Sequence, residues 1–409
     1  MTEAPACPTL VPMSRRVTME RHGHVLAIGT ALLTLAGAVG CVREEAIETS
    51  PPPVDSSAQN RLPESHSVGE RALVGEGYPM PGPYRRRLGA AVALNATCEV
   101  CHKDEADEWR RSRHRESNTN AAYRTAFATE PSPFCRGCHA PEADPAQIPP
   151  RAVSELGVGC VTCHVTEEGF VLAAASPSSS AGSGPHPLRR SAEFAHTGGC
   201  VGCHEFRFPG AAGDDDGHYM QTTAREHASS PAAEKSCANC HMPMIAGRRS
   251  HDFVAVRDPT FLRQNLNVTA SIADNKLRVT LLQPDPGHAF PTGDLFRRLE
   301  VGFEIRGPGG TIVKREARHL ARHFELVPGR SGRLLVRDDR VFSEPNVVEM
   351  ALPPAPSSPA VVAWWVTLQR VATVGTGADP EAAKIESSVP LYSGILPWGP
   401  TTEASANNE

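Results

Sequence analysis

Ten of the twelve cysteines stand in five Cys-x-x-Cys-His units. They are Cys98, Cys101 and His102; Cys135, Cys138 and His139; Cys160, Cys163 and His164; Cys200, Cys203 and His204; and Cys237, Cys240 and His241. Two thiols at this spacing suit thioether bonds to the two vinyl groups of a haem, and the adjacent imidazole then meets the iron. One such unit is a weak sign. Five, using nearly all the cysteine, are not an accident of composition. Structural zinc needs two Cys-x-x-Cys pairs per metal, which leaves one pair over and gives the trailing histidines no purpose. A redox Cys-x-x-Cys does not require five copies, and a disulfide framework sets no rule that His follow Cys. The reading is five covalently attached haem c groups, with the five motif histidines as proximal iron ligands.

A haem iron with one histidine needs a sixth ligand or keeps an open position, and that choice separates electron transfer from catalysis. Seventeen histidines less the five in motifs, and less His22 and His24 near the N-terminus, leave ten candidates. His114 ends the run Glu108-Trp109-Arg110-Arg111-Ser112-Arg113-His114, where a short helix leaving the first motif would aim it at a neighbouring haem. Trp109 would pack on a macrocycle or in ordinary core. His251 follows the fifth motif, with Asp252 and Phe253 placed to orient and cover it. His288 sits in the rigid loop Pro286-Gly287-His288-Ala289-Phe290-Pro291-Thr292-Gly293. His186, between two prolines, and His227 complete the distal candidates, with His196 and His218 in reserve. His319 and His323 have i,i+4 spacing and could bind a metal if helical, though two solvated side chains is the plainer reading. His66 belongs to a linker.

The elements that must hold these residues divide the chain. At 409 residues it has room for about two to three domains. Aromatic residues are only 5%, against 37 Pro and 34 Gly, which is thin for an ordinary core and suits loops wrapped around large apolar cofactors. The formal net charge of -5 gives no basic patch for nucleic acid. Residues 1–41 read as an export signal: Arg15, Arg16, Arg21 and His22 precede an apolar run from Val25 to Val39, with Met13 or Met19 the better start. Cys41, after Ala38-Val39-Gly40, is the lipidation candidate, although Ala38 departs from the usual Leu. Export agrees with covalent haem attachment, which happens outside the cytoplasm.

Residues 42–92 are expected to be a flexible linker, with Pro51-Pro52-Pro53 and a basic Arg85-Arg86-Arg87. Residues 93–264 form the pentahaem cytochrome c domain. Its motifs begin 37, 25, 40 and 37 residues apart, too irregular for a solenoid. Short helices are expected around Glu105–Arg115 and Thr222–Ala233, a Ser/Ala/Gly insertion over Ala173–Gly184, and a solvated turn at Asp214-Asp215-Asp216-Gly217. Residues 265–395 carry alternating apolar runs: 268–272 and 277–281 around the turn-like Ala273-Asp274-Asn275, then 299–305, 311–313 and 361–368. These predict a hairpin and a β-sandwich without cysteine. Residues 396–409 are expected to be a disordered tail. The fold class is therefore α+β and multidomain: a loop-rich, mainly helical pentahaem domain followed by an all-β, sandwich-like domain.

The haem region resembles the cytochrome c-554 type of multihaem domain, related to the hydroxylamine oxidoreductase and nitrite reductase superfamily. The residues that carry the resemblance are Cys98-x-x-Cys101-His102 followed by Trp109-x-x-Ser112-x-His114, then Cys135-x-x-Cys138-His139-Ala140-Pro141. Gly157-Val158-Gly159-Cys160-x-x-Cys163-His164, Cys240-His241-Met242-Pro243 and the Gly287-His288-x-Phe290-Pro291-Thr292-Gly293 loop continue it over about residues 95–295. The resemblance implies closely stacked haems, mostly with two axial histidines, and His114 as a distal ligand. The chain lacks the Cys-x-x-Cys-Lys motif of the catalytic members and a Tyr placed for the hydroxylamine oxidoreductase cross-link. Transfer of electrons between redox protein partners of the periplasm or membrane is the first expectation, in a periplasmic or outer-membrane-associated lipoprotein of a Gram-negative-type bacterium. The alternative is a reductase of a small nitrogen or sulfur oxyanion with one open haem site. A third expectation makes the β-domain a module that docks a partner or surface.

Overall fold

Two thiols three residues apart on a helix lie one turn from each other on the same face, and every motif lies on a short helix or at its end. The computed structural model describes residues 73–74, 78–79, 82–83, 85–175, 185–209, 216–253, 257–326, 333–372 and 383–400. The expected export signal with Cys41, most of the linker including His66, and the tail beyond 400 lie outside the described residues.

The cysteine-bearing half is a string of short helices: α1 (Ala91–Cys101), α2 (Lys103–Arg110), α3 (Ala121–Thr129), α4 (Pro133–His139), α5 (Arg151–Leu156), α6 (Cys160–His164), α7 (Val201–His204), α8 (Thr223–Ala228) and α9 (Cys237–His241). Local chemistry starts several of them. Pro133 opens α4, where its missing N–H costs nothing. Asn120 caps α3 by accepting from the Tyr123 N–H, and Ser236 caps α9 by accepting from Asn239. Between them run two-stranded ladders: β1 (Leu73–Val74) with β2 (Tyr78–Pro79), β3 (Val171–Ala174) with β4 (Leu188–Ser191), β5 (Glu205–Arg207) with β6 (Tyr219–Thr222), and β7 (Met244–Ile245) with β8 (Arg248–Arg249). The apolar cluster of this half is small, centred on Ala91, Trp109, Leu156, Val161 and Val165. The Trp109 indole donates to the Val158 carbonyl at 2.8 Å.

Ion pairs supply cohesion that so small a core does not. Arg85, in the segment read as linker, donates to Glu142 at 2.6 Å and to the Val161 carbonyl at 2.9 Å. The Glu142 side chain is only 1% exposed and also accepts from the Leu88 N–H and the Thr162 hydroxyl. The chain just before α1 is therefore pinned to the α6 motif.

After α10 (Pro259–Gln264) the chain becomes β-rich, with β9 (Asn267–Ala273), β10 (Lys276–Leu282), β11 (Arg297–Arg306), β12 (Ile312–Leu320), β13 (Arg322–Leu326), β14 (Arg333–Asp338), β15 (Asn346–Ala351), β16 (Ala360–Val371) and β17 (Ile385–Trp398). Two antiparallel sheets, ordered β15-β10-β9 and β12-β11-β16-β17, share one core with Leu277, Val279 and Leu281 from one face and Leu299, Val301, Phe303, Val362 and Val366 from the other. The expected hairpin forms β9 and β10, and Asp274 and Asn275 both take positive φ, as a two-residue hairpin turn requires. The architecture is thus α+β, a helical cytochrome-like region followed by a β-rich region.

Several elements differ from expectation. The long β17 contains Pro390 and Pro397 and reaches Trp398, inside the stretch expected to fray. It is an edge strand, where prolines are tolerated. His319 and His323 lie on β12 and β13, not on a helix. His319 faces Glu300 at 3.5 Å and His323 faces Asp339 at 3.0 Å.

Gly302 shows how closely the larger sheet is packed. A Cβ there would stand 2.4 Å from the Trp365 ring across the β11–β16 ladder, and the Trp365 indole donates to Glu300 at 2.6 Å. Replacing Gly302 with Val should lower stability by about 1–3 kcal/mol. A thermal melt would read this as a clear drop in Tm, and an unchanged Tm would contradict the packing described.

Candidate functional site: five thiol pairs around one cavity

All ten motif cysteines and all five motif histidines line a continuous cavity of about 2720 Å³. His114, His186, His196, His227, His251 and His288 share its wall. Two imidazoles that would hold one iron from opposite sides, at about 2 Å each and with roughly 1 Å from nitrogen to ring centre, would have ring centres about 6 Å apart. Four motif histidines have such a partner: His102 and His186 at 6.3 Å, His164 and His251 at 6.2 Å, His204 and His114 at 6.2 Å, His241 and His288 at 6.0 Å. In each pair the second histidine comes from elsewhere in the chain. This is the donor set and the spacing that a haem iron takes between two imidazoles, so the residues fit that group.

His227 departs from the expected pattern. It stands against His196, at 5.9 Å, and not against a motif histidine. His139 of the second motif has no imidazole opposite it among the described residues; its ring stacks on Tyr123 at 4.0 Å and 14°. The Tyr123 hydroxyl is buried without a hydrogen-bond partner among the described residues.

The backbone fixes which nitrogen faces the cavity. A carbonyl only accepts, so His139 donates from Nδ1 to Ser117 at 2.6 Å, His164 to Leu172 at 2.9 Å, His251 to Arg249 at 2.9 Å and His288 to Ala289 at 3.0 Å. Nε2 is left with its lone pair. Burial pushes the pKa of His114, His204 and His241 down to about 4. These rings are therefore neutral near pH 7, the form a metal binds. Burial also lowers His139, His164 and His288.

The motifs follow one another through space in an order the sequence does not have. The Cys98 thiol lies close enough to Cys160 to affect its ionisation, and Cys203 does the same to Cys163. Cys200 and Cys237 are hydrogen-bonded thiol to thiol. The Cys138 thiol contacts the Cys203 carbonyl at 3.9 Å. The route runs from the first motif to the third and then the fourth, where the second and fifth both meet it. Cys101 and Cys240, in the first and fifth motifs at two of its three ends, are exposed, whereas the other motif cysteines are half-buried.

The groups that position the histidines escaped sequence reasoning, because acidic and basic side chains on short helices ordinarily read as solvated. Glu108 is 7% exposed. It accepts from both terminal nitrogens of Arg248, at 2.8 and 2.9 Å, and from the His251 N–H at 2.8 Å. It so ties α2 to the loop that carries His251. Glu226 on α8 does the same for His288, accepting from Arg340 at 2.6 Å, the Ala289 N–H at 3.1 Å and the Thr292 hydroxyl at 3.1 Å. Phe253, at φ +51°, lies edge-on to His114 at 4.3 Å and near His251 at 6.3 Å. Gly157 has φ +59°, and any Cβ there would stand 2.5 Å from the His114 carbonyl. That explains the glycine ahead of the third motif.

The model of the family described as Cytochrome c554 and c-prime matches residues 97–165, which contain the first three motifs. The chain is a multihaem c-type cytochrome resembling the c554 family. Among solved structures, the cytochrome is similar to a penta-heme cytochrome c552 from Thermochromatium tepidum, with 18% identity, a TM-score of 0.56, 76% of this chain covered and 99% of that one. At that identity the likeness is one of fold. MtrC from Shewanella baltica is also matched, at 13% identity over 48% of this chain and 35% of that one, with a TM-score of 0.14, too slight to bear on the fold. Nothing among the curated proteins matches the cytochrome. No helix among the described residues is long and apolar enough to cross a membrane.

Arg248 holds the Glu108 carboxyl down at about 2, from an ordinary 4.5; burial opposes it and the His251 N–H adds to it. The folded pKa lies below the unfolded one, so this contribution is complete above about pH 5 and is lost as pH falls through 4.5 towards 2. Glu108→Gln should cost about 2–3 kcal/mol and flatten the acid limb of a stability–pH curve between those values. A variant with the parent's acid limb would show that Glu108 does not carry it.

Proposed function

We propose that this cytochrome is an exported pentahaem electron carrier, moving electrons between redox protein partners of the periplasm or membrane. The observation that carries the reading is the set of four imidazole pairs, each joining a motif histidine to a distant one at 6.0–6.3 Å. On this reading haem c is attached at all ten motif cysteines. The motif histidines are the proximal ligands, and His186, His251, His114 and His288 are the distal ligands of the first, third, fourth and fifth haems. Two imidazoles on one iron leave no position for substrate, which favours electron transfer over bond chemistry.

Closely spaced attachment thiols support direct haem-to-haem transfer along the branched route, with the fourth haem as its junction. Electrons would enter and leave at the first and fifth haems, beside the exposed Cys101 and Cys240. Val100, 72% exposed, and Met244, 57% exposed, offer apolar surface at those ends. Export, and lipidation at Cys41 that tethers the carrier to a membrane, belong to the same proposal.

A second reading has one observation of its own. Among the described residues no imidazole stands opposite His139, and the charges of Asp294 and Arg370 from the β-domain both reach it. The iron at the second motif would then keep an open side near an acid and a guanidinium, the equipment for reducing a small oxyanion. EPR and optical spectra of the haem-loaded protein test both readings. Four low-spin irons and one that changes spectrum with cyanide or nitric oxide are expected. Five inert low-spin irons would remove the second reading, while several high-spin irons would overturn the first. His288→Ala should turn one further iron high-spin, and His227→Ala none.

A further inference from the structure

Arg297, the first residue of β11, is a cation in the wrong place for a sheet residue. Its side chain lines the cavity, and its charge acts on both His204 and His241. Among the described residues it has no hydrogen-bond or ion-pair partner. Asp294 acts on it through space without forming an ion pair with it, and the neighbouring acids are held by Arg370. Asp294 accepts from Arg370 at 3.3 Å and from the Phe296 N–H at 3.1 Å, and Glu386 lies 3.4 Å from Arg370 Nε. Gly293, at φ +112°, lets the chain turn tightly against the guanidinium: a Cβ there would stand 3.1 Å from Arg297 Nε.

The contrast with two other half-buried arginines of the β-domain is informative. Arg340 and Arg370 each hold two carboxylates, and both have raised pKa values. Burial instead lowers Arg297. Buried charges are ordinarily paired, since an isolated one is costly to take from water. Asp294 offsets the charge only through space, so a direct partner for the guanidinium would come from whatever fills the cavity beside His204 and His241. A haem carries two propionate carboxylates, and a guanidinium fork suits a carboxylate better than any other side chain does.

We propose that Arg297 binds a propionate of the haem attached at the fourth motif, so that the β-domain forms part of the haem cradle and sets the potential at the junction of the route. The inference rests on the haem reading and adds to it a positioning residue, one that acts through a cofactor carboxylate. A fixed positive charge there disfavours the oxidised, more positive haem, and so raises its potential.

A crystal structure of the haem-loaded protein and redox titrations of Arg297→Gln and Arg297→Lys test it. Haem content by pyridine haemochromogen comes first, because fewer than five haems would sink the haem reading and not this inference. The structure should place a propionate within hydrogen-bond distance of the guanidinium. In Arg297→Gln one midpoint should fall, shifting that haem's reduced-to-oxidised ratio about tenfold at fixed poise, or about 59 mV. Arg297→Lys should recover most of that shift. Unchanged midpoints in Arg297→Gln overturn the proposal. So does a holoprotein in which Arg297 meets only water, protein carboxylates or a free anion, and that structure decides alone if the Gln variant does not fold.

Discussion

Two imidazoles that would hold one iron from opposite sides need ring centres about 6 Å apart, and four histidine pairs of this protein, each with one member in a cysteine motif, have that spacing. A five-residue motif fixes one ring of each pair next to its thiols. The other ring must arrive from a distant part of the chain and be held within a fraction of an ångström. Short helices and two-stranded ladders are poor at such positioning when the apolar cluster beneath them is as small as the one around Trp109 and Val161.

The structure meets the demand with charges and carbonyls. Glu108 clamps the His251 loop through Arg248 and a backbone N–H, Glu226 clamps the His288 loop through Arg340, and Glu142 fastens Arg85 to the third motif. Backbone carbonyls then orient the rings through Nδ1. Buried ion pairs give little net stability over apolar packing, but removing one partner is costly because the other is stranded. That asymmetry makes them effective at fixing a loop in one place.

The β-rich half is more than an appendage to this arrangement. Its loop between β10 and β11 places His288 6.0 Å from His241 of the fifth motif, and the charges of Asp294, Arg297 and Arg370 act on motif histidines. A rigid sandwich with a continuous apolar core holds such groups more firmly than the loop-rich half.

The sequence by itself determined which thiols and imidazoles are spaced to take a haem, and the general architecture. Cysteine spacing with a trailing histidine is a local pattern, and so is the alternation that marks β9, β10, β11 and β16. His114, His251 and His288 were also legible, each from an unusual local setting. Pairing was not, because which ring faces which depends on contacts between residues as far apart as Glu108 and Arg248. His227 appeared equivalent to the other candidates in sequence, yet tertiary structure set it against His196 and left His139 beside Tyr123. Edge strand β17 was hidden by its prolines, which only its place at the sheet margin makes tolerable. Local spacing fixes which atoms can bond to a cofactor, whereas only the folded chain brings a second ring to about 6 Å from a motif histidine.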